Sequence, residues 1–328
     1  MNKLNTENTV AALLFVYLLI YPFISSEYNI MNMSYFLAMI FLSLSLSLIW
    51  GYSGIFSFGQ TAFFGVGGYA YAIISMNFNN PNLTLLSFIL AILIAGAFAW
   101  ILGYFMFYGG VNDVFVGLIT LCVTLVLATF MAQTAGSQWK IGDVLLGGDN
   151  GINNIPSLTF GSVTLYGTNL YYVILIVLIV IYILLRKFGS SKFGYSLIAV
   201  RENRERSQMF GYNIPFLQTL VFSLGGVLAG LSGVFYAIWG NYMSPSSMAI
   251  SAAALPVVLV AAAGRKNVTA AVIFSLIYYM FAQYLSVTGT QYAFVILGFV
   301  LLIAILLVPQ GIIVTIFNLI DRYVFKKS

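Results

Sequence analysis

The chain is built from apolar runs that recur at the length needed to cross a bilayer. They fall at residues 10–24, 33–50, 84–108, 113–133, 169–185, 214–240, 248–263, 268–287 and 291–308. A bilayer core takes roughly 20 residues of helix. Inside it only helices and closed barrels satisfy their own backbone, and the short alternating segments of a barrel are absent here. The chain is 61% hydrophobic and 6% charged, against about 25% charged in soluble domains. Such a sequence cannot cover a water-facing surface. It reads as all-α: a polytopic integral membrane protein with about ten transmembrane helices, some broken or re-entrant, in one transmembrane domain over 1–328. The first run is read as a retained span rather than a signal peptide, because Glu7 intrudes before it and no A-x-A cleavage site follows.

The charge is concentrated. Arg201-Glu202-Asn203-Arg204-Glu205-Arg206-Ser207-Gln208-Met209-Phe210-Gly211 is an aqueous island between two long apolar stretches. Glu202 precedes Arg206 by four residues, the favourable order for a helical ion pair. Leu197, Val200, Met209 and Phe210 add apolar contact points, so the segment suits docking to another protein as well as fixing orientation. Lys and Arg mark cytoplasmic loops. Placing Arg186, Lys187, Lys192 and the island inside also puts Lys3, Arg265, Lys266 and the tail, with Lys326 and Lys327, inside. Lys140 alone falls outside. The cytoplasmic segment covers about 187–213 and an external polar loop about 134–168. The net charge of +5 is then the remnant of a basic inner face and not a nucleic-acid signal.

Residues 51–76 are the most unusual apolar stretch. Gly51, Gly54, Gly59, Gly65, Gly67 and Gly68 make it either a tightly packed span or one with a break. Small residues let helix backbones approach closely in lipid. A break at membrane depth needs protein or a water-filled path around it. Ser57 and Gln60 could line such a path, or serve packing alone. After the island, Gly225, Ala229 and Gly233 form one stripe of small residues, and Gly226 and Gly230 a second. Both predict close helix contact.

Several classes of chemistry are excluded or weak. There is no histidine, and Cys122 is the only cysteine. No internal disulfide, His/Cys metal cluster or thiol–imidazole nucleophile can form. Cys122, within an apolar run, reads as a packing residue. Asp113 reads as interfacial. The loop Gly147-Gly148-Asp149-Asn150-Gly151 is not a phosphate loop, since no Gly-Lys-Ser/Thr follows. No catalytic, metal-binding or cofactor-binding residues are expected. The spans also lack the chain of buried Asp, Glu or His that proton-coupled carriers use.

Two stretches resemble the LivM-type permeases of branched-chain amino-acid ABC importers, a family that also contains urea permeases. One runs from Trp50-Gly51-Tyr52-Ser53-Gly54 through Gly59-Gln60-Thr61-Ala62-Phe63-Phe64-Gly65-Val66-Gly67-Gly68-Tyr69. The other is Arg201 to Gly211 with the glycine-rich span at Gly225 to Gly233. The loop at 147–151 and the ending Pro309-Gln310-Gly311 also fit, so the resemblance covers roughly 30–315. It implies that the island is the helix that meets an ATPase. Glu205-Arg206-Ser207 and Gly211 keep the Glu-Ala-Ala, three residues, Gly spacing of many importer permeases, with both alanines replaced. Arg201, Glu202, Glu205, Arg206 and Gly211 are therefore the expected coupling residues. Gly59, Gln60, Gly65, Gly68, Gly226 and Gly230 are expected at the pathway or at helix contacts. The implied partners are a second permease, two ABC ATPases, an external solute-binding protein and the lipid of a prokaryotic cytoplasmic membrane. Leucine, isoleucine or valine is the first expected substrate class, and urea or a short amide the second. An ATP-independent channel or a secondary carrier is the alternative of another class.

Overall fold

The computed structural model describes residues 6–161, 163–289, 292–308 and 310–323. Lys3, Pro309, Lys326 and Lys327 lie outside the described residues. The described residues form thirteen α-helices: α1 (Thr6–Ile24), α2 (Glu27–Leu48), α3 (Gln60–Phe78), α4 (Thr84–Tyr108), α5 (Asp113–Ala132), α6 (Thr168–Gly189), α7 (Lys192–Glu202), α8 (Arg204–Met209), α9 (Ile214–Gly240), α10 (Ile250–Ala263), α11 (Val268–Val287), α12 (Ala293–Leu307) and α13 (Ile312–Tyr323). Seven of them are long and apolar enough to cross a membrane. The other expected spans are α3, which is glycine-rich, and α10 and α12, which have 14 and 15 residues. The all-α polytopic class holds. The chain is a multi-pass membrane protein.

α9 is the central element, and it packs chiefly on α4, α3 and α2. Its start is set locally: the Asn213 side chain accepts the Phe216 N–H at 3.1 Å, and Pro215 sits in the first turn, where a missing N–H costs nothing. The small-residue stripes do what their spacing predicts. A Cβ on Gly230 would overlap the Ala95 methyl of α4, and one on Gly67 would strike the Gly230 backbone. One on Gly226 would meet Ala99, and one on Gly233 the Phe64 carbonyl. Serines on both sides of the contact bind backbone across it. Ser45 donates to Gly225 O at 2.7 Å, Ser232 to Ala38 O at 2.8 Å and Ser223 to Gly96 O at 2.9 Å. Interhelical hydrogen bonds in lipid average about 0.6 kcal/mol each, so backbone approach, not these bonds, dominates the contact.

The two ends of the bundle differ in charge. Arg186, Lys187, Lys192, Arg201, Arg204, Arg206, Arg265, Lys266 and Arg322 lie at one end, and among the described residues only Lys140 lies at the other. At the basic end Glu7 faces Arg186 at 3.6 Å and accepts from Thr269 at 2.6 Å. The Thr6 hydroxyl meets Asp321 there, which ties α1 to α13. At the opposite end, residues 134–167 carry short two-residue strands. Ile152 and Asn153 pair with Met243 and Tyr242, the turn after α9. Sequence reasoning read this region as turns alone and missed α13 as a helix. It also placed Cys122 in packing, whereas Cys122 is exposed on α5 of the single chain.

Gly230→Leu should therefore lower the yield of folded protein and its thermal stability, by about 1–3 kcal/mol, because even its Cβ overlaps the Ala95 methyl of a closely packed neighbour. Gly240→Ala, where an added Cβ meets nothing within 4 Å, should be neutral. Size-exclusion of detergent-solubilised protein after graded heating measures both.

Candidate functional site: the charged junction and the broken span

The span beginning near Gly51 is broken. α2 continues as one π-helical turn, Ile49–Ser53, which Gly54 ends at φ +78. Its N–H still reaches Trp50 O at 3.2 Å. Residues 54–59 then run without helix before α3 starts at Gln60. This extended piece lies against α5, whose threonines serve its backbone. Phe58 N–H donates to the Thr120 hydroxyl at 3.1 Å, and Thr124 donates to Phe58 O at 3.3 Å. Gly59 N–H donates to the Ser57 hydroxyl at 3.0 Å. Thr120 and Thr124 lie about 10–16 Å along α5 from Asp113 at 1.5 Å per residue. The break therefore starts at the basic end, and its far end at Phe58 and Gly59 lies beside the middle of α5, covered by protein as membrane depth demands.

The glycines of this stretch stand where backbone or side chains crowd them. An added Cβ would be 3.1 Å from Thr120 at Gly59, would overlap Met248 at Gly65, and would come within 2.7 Å of the Met243 sulfur at Gly68. Gln60 is only 2% exposed, and neither end of its side-chain amide has a partner among the described residues; the same holds for the Thr61 hydroxyl.

The charged island is two helices, not one. Asn203 adopts an extended backbone, φ −156 and ψ 102, and separates α7 from α8. Its side chain caps α8 by accepting the Arg206 N–H at 2.8 Å, a role Asn fills well because its carbonyl serves an orphan donor. The expected Glu202–Arg206 pair does not form, because the two residues stand on different helices. Glu202 instead meets Arg201 at 2.6 Å and Lys266 at 3.8 Å. The hydrogen bond from Arg201, then the charges of Arg201 and Lys266, hold the Glu202 carboxyl below its usual range.

Arg201 joins the island to the broken span. Its guanidinium donates to the Gly51 carbonyl in the π turn, and its methylene stem lies over Gly54. The side chain is 17% exposed. A charge-assisted hydrogen bond of this kind contributes about 1.5–3 kcal/mol, and a cation at a helix C-terminus adds to it. The exposed Glu202–Lys266 contact contributes little beside this. Two further contacts brace the junction: Arg204 faces Asp113 of α5 at 3.7 Å, and Arg265 stacks over Trp50 at 5.5 Å. Asp113 is thus at the basic interface, as its place in the sequence suggests.

α8 projects away from the bundle. Glu205, Arg206 and Gln208 are exposed, with Met209 at 87% and Phe210 at 77% exposure. Gly211 closes it in the left-handed conformation at φ +82. Tyr212 N–H reaches Ser207 O at 3.3 Å and Gly211 N–H reaches Gln208 O at 3.0 Å, the paired bonds of a Schellman end.

Comparison with known proteins gives this geometry a context. The model of the branched-chain amino acid transport system / permease component family matches residues 29–306. The chain belongs to this family. This permease is 23% identical over 258 residues to the probable branched-chain amino acid transport permease protein LivM of Methanocaldococcus jannaschii, covering 69% of this chain and 72% of that one. It is 21% identical over 317 residues to the high-affinity branched-chain amino acid transport system permease protein LivM of Salmonella typhimurium and to that of Escherichia coli, covering 89% of this permease and 72% of each relative. No solved structure matches the permease.

An added side chain at Gly211 meets nothing within 4 Å, so the cost of substitution there is conformational only. Gly211→Val should cost about 1–2 kcal/mol and speed amide exchange across 204–212. Gly211→Asn should behave close to wild type, since Asn tolerates this conformation. Hydrogen–deuterium exchange of the permease in nanodiscs reads both.

Proposed function

We propose that this chain is the membrane-spanning subunit of an ATP-driven importer for small amino acids of the leucine, isoleucine and valine class. The basic end faces the cytoplasm of a prokaryotic cell and residues 134–168 face outside, in keeping with the Lys/Arg bias. The observation that carries the reading is α8. Two large apolar side chains, Met209 and Phe210, stand almost fully exposed at the end of a capped helix among the charged residues. Exposed apolar residues rimmed by charge mark a protein contact. An ATPase subunit on each of two paired permeases is the partner that supplies energy, and a solute-binding protein delivers substrate from outside. The similarity to branched-chain amino acid permeases favours branched-chain amino acids over urea. A docking helix of this kind favours a driven importer over a channel or a secondary carrier.

Arg201, Glu202, Glu205, Arg206 and Gly211 then divide the coupling work. Glu205, Arg206, Met209 and Phe210 face the ATPase. Gly211 and Asn203 hold α8 as a rigid unit, and Arg201 passes its movement to the π turn at Gly51. A helix seated in a moving groove can shift adjacent spans between two packed arrangements.

The test is co-purification with the cognate ATPases. Burying each of these apolar side chains stabilises an interface by about 1.5–3 kcal/mol, so the pair Met209→Asp and Phe210→Asp should weaken retention of the ATPase at least roughly tenfold. Membrane insertion should be intact. Glu205→Lys should also reduce retention if it meets a basic partner surface. Full retention with both sets of changes would remove the docking assignment.

A further inference from the structure

α2 and α9 share more than a border. α2 with its π turn runs Glu27–Ser53 and α9 runs Ile214–Gly240, 27 residues each. They cross the bundle in opposite directions, α2 ending at the basic end and α9 beginning there. Ile-Trp-Gly recurs near the end of each, as Ile49-Trp50-Gly51 and Ile238-Trp239-Gly240. Each is closed by a left-handed residue, Gly54 at φ +78 and Asn241 at φ +49. Each is followed by a short connection before the next α-helix starts, residues 54–59 before α3 at Gln60, and a two-residue strand and a 3-10 turn before α10 at Ile250. The two segments form the inverted, discontinuous-helix arrangement that places solute sites between half-helices.

The starts of α3 and α10 meet around one cavity of about 150 Å³, ample for more than a single water. Thr61 and Phe64 of α3, Met39 and Leu42 of α2, Tyr236 of α9 and Leu255 of α10 line it. Thr61 is 1% exposed, and its hydroxyl has no partner among the described residues. Gln60, in the same turn, leaves both a donor and an acceptor unused at 2% exposure. No side chain caps α3, and the N–H groups of Gln60, Thr61 and Ala62 have no intrahelical acceptor. Buried polar groups are almost always paired. Here the Thr61 hydroxyl stands at a positive helix end beside an apolar wall.

We propose that this cavity is a transit site for a zwitterionic amino acid. Its carboxylate is held by the Thr61 hydroxyl and the first amides of α3, and its apolar side chain lies against Met39, Leu42 and Leu255. The inference rests on the permease reading above and gives it a chemical address. A helix N-terminus favours an anion. The carboxylate therefore decides recognition, and a neutral urea or an amine lacking the carboxylate is held poorly.

The experiment uses Ala252→Cys, on the cavity wall, in a Cys122→Ser background that leaves this chain free of other cysteines, with the full chain assembled with its partners in membrane vesicles. The probe is a small anionic methanethiosulfonate reagent. Saturating L-leucine should slow labelling roughly tenfold, as expected when a charge-assisted site is occupied, while isoamylamine and urea should not slow it. Absence of labelling, labelling indifferent to L-leucine, or equal protection by isoamylamine or urea would overturn the site. Uptake gives a second reading. Thr61→Val should reduce L-leucine uptake roughly tenfold and Thr61→Ser should restore most of it; equal uptake by Thr61→Val and wild type would overturn the assignment. If wild-type vesicles move L-leucine but labelling ignores it, the site alone fails. If they move no amino acid, the permease reading fails and the site falls with it.

Discussion

A backbone that leaves the helix inside a bilayer must find its hydrogen bonds in the protein, because lipid offers none. Residues 54–59 live under this constraint, and the surroundings answer it. Thr120 and Thr124 of α5 serve Phe58, Ser57 serves Gly59, and Arg201 serves the Gly51 carbonyl just before the break. The threonines fix the extended segment to one neighbour, and Arg201 fixes its entrance to the charged island. The close glycine contacts of α3 with α9 then set where the second half of the span can lie. Thus the break, the island and the glycine stripes form one connected set of contacts.

The same constraint explains which polar groups matter energetically. Most ion pairs at the basic end are exposed and weak. Arg201 is different, because it is largely covered and caps the end of the preceding helix. Gln60 and Thr61 are different in the opposite sense: they are buried and unpaired, which costs about 1–3 kcal/mol per group unless something binds there. Structures that retain such a cost generally do so at functional sites. α3 thus begins with an unpaired polar turn and continues with glycines packed against α9, two demands met by one stretch of sequence.

Much of this was legible in the sequence. The apolar runs located the helices of the membrane body, since bilayer thickness dictates their length. The Gly225–Gly233 region predicted close packing, because only small residues let backbones touch. Gly211 was readable as a helix end from its position after a short polar segment. Other features were not readable. Asn203 looks like any polar loop residue, and only its extended backbone shows that it splits the island and separates Glu202 from Arg206. The choice between a packed span and a break at 51–59 depended on Thr120 and Thr124, more than sixty residues away. The Arg201–Gly51 contact joins residues 150 apart, beyond the reach of any local pattern. α13 was hidden by reading the segment after Gly311 as a charged tail, although its apolar residues carry helical spacing.

The central claim is that Arg201 transmits the movement of the ATPase-docked island to the broken span. The most direct measurement is the number of solute molecules moved per ATP hydrolysed by the reconstituted complex, in wild type and in Arg201→Gln. The account predicts that ATP hydrolysis stays within about twofold, while solute moved per ATP falls roughly tenfold, as loss of one charge-assisted link implies. An unchanged ratio in Arg201→Gln would contradict it.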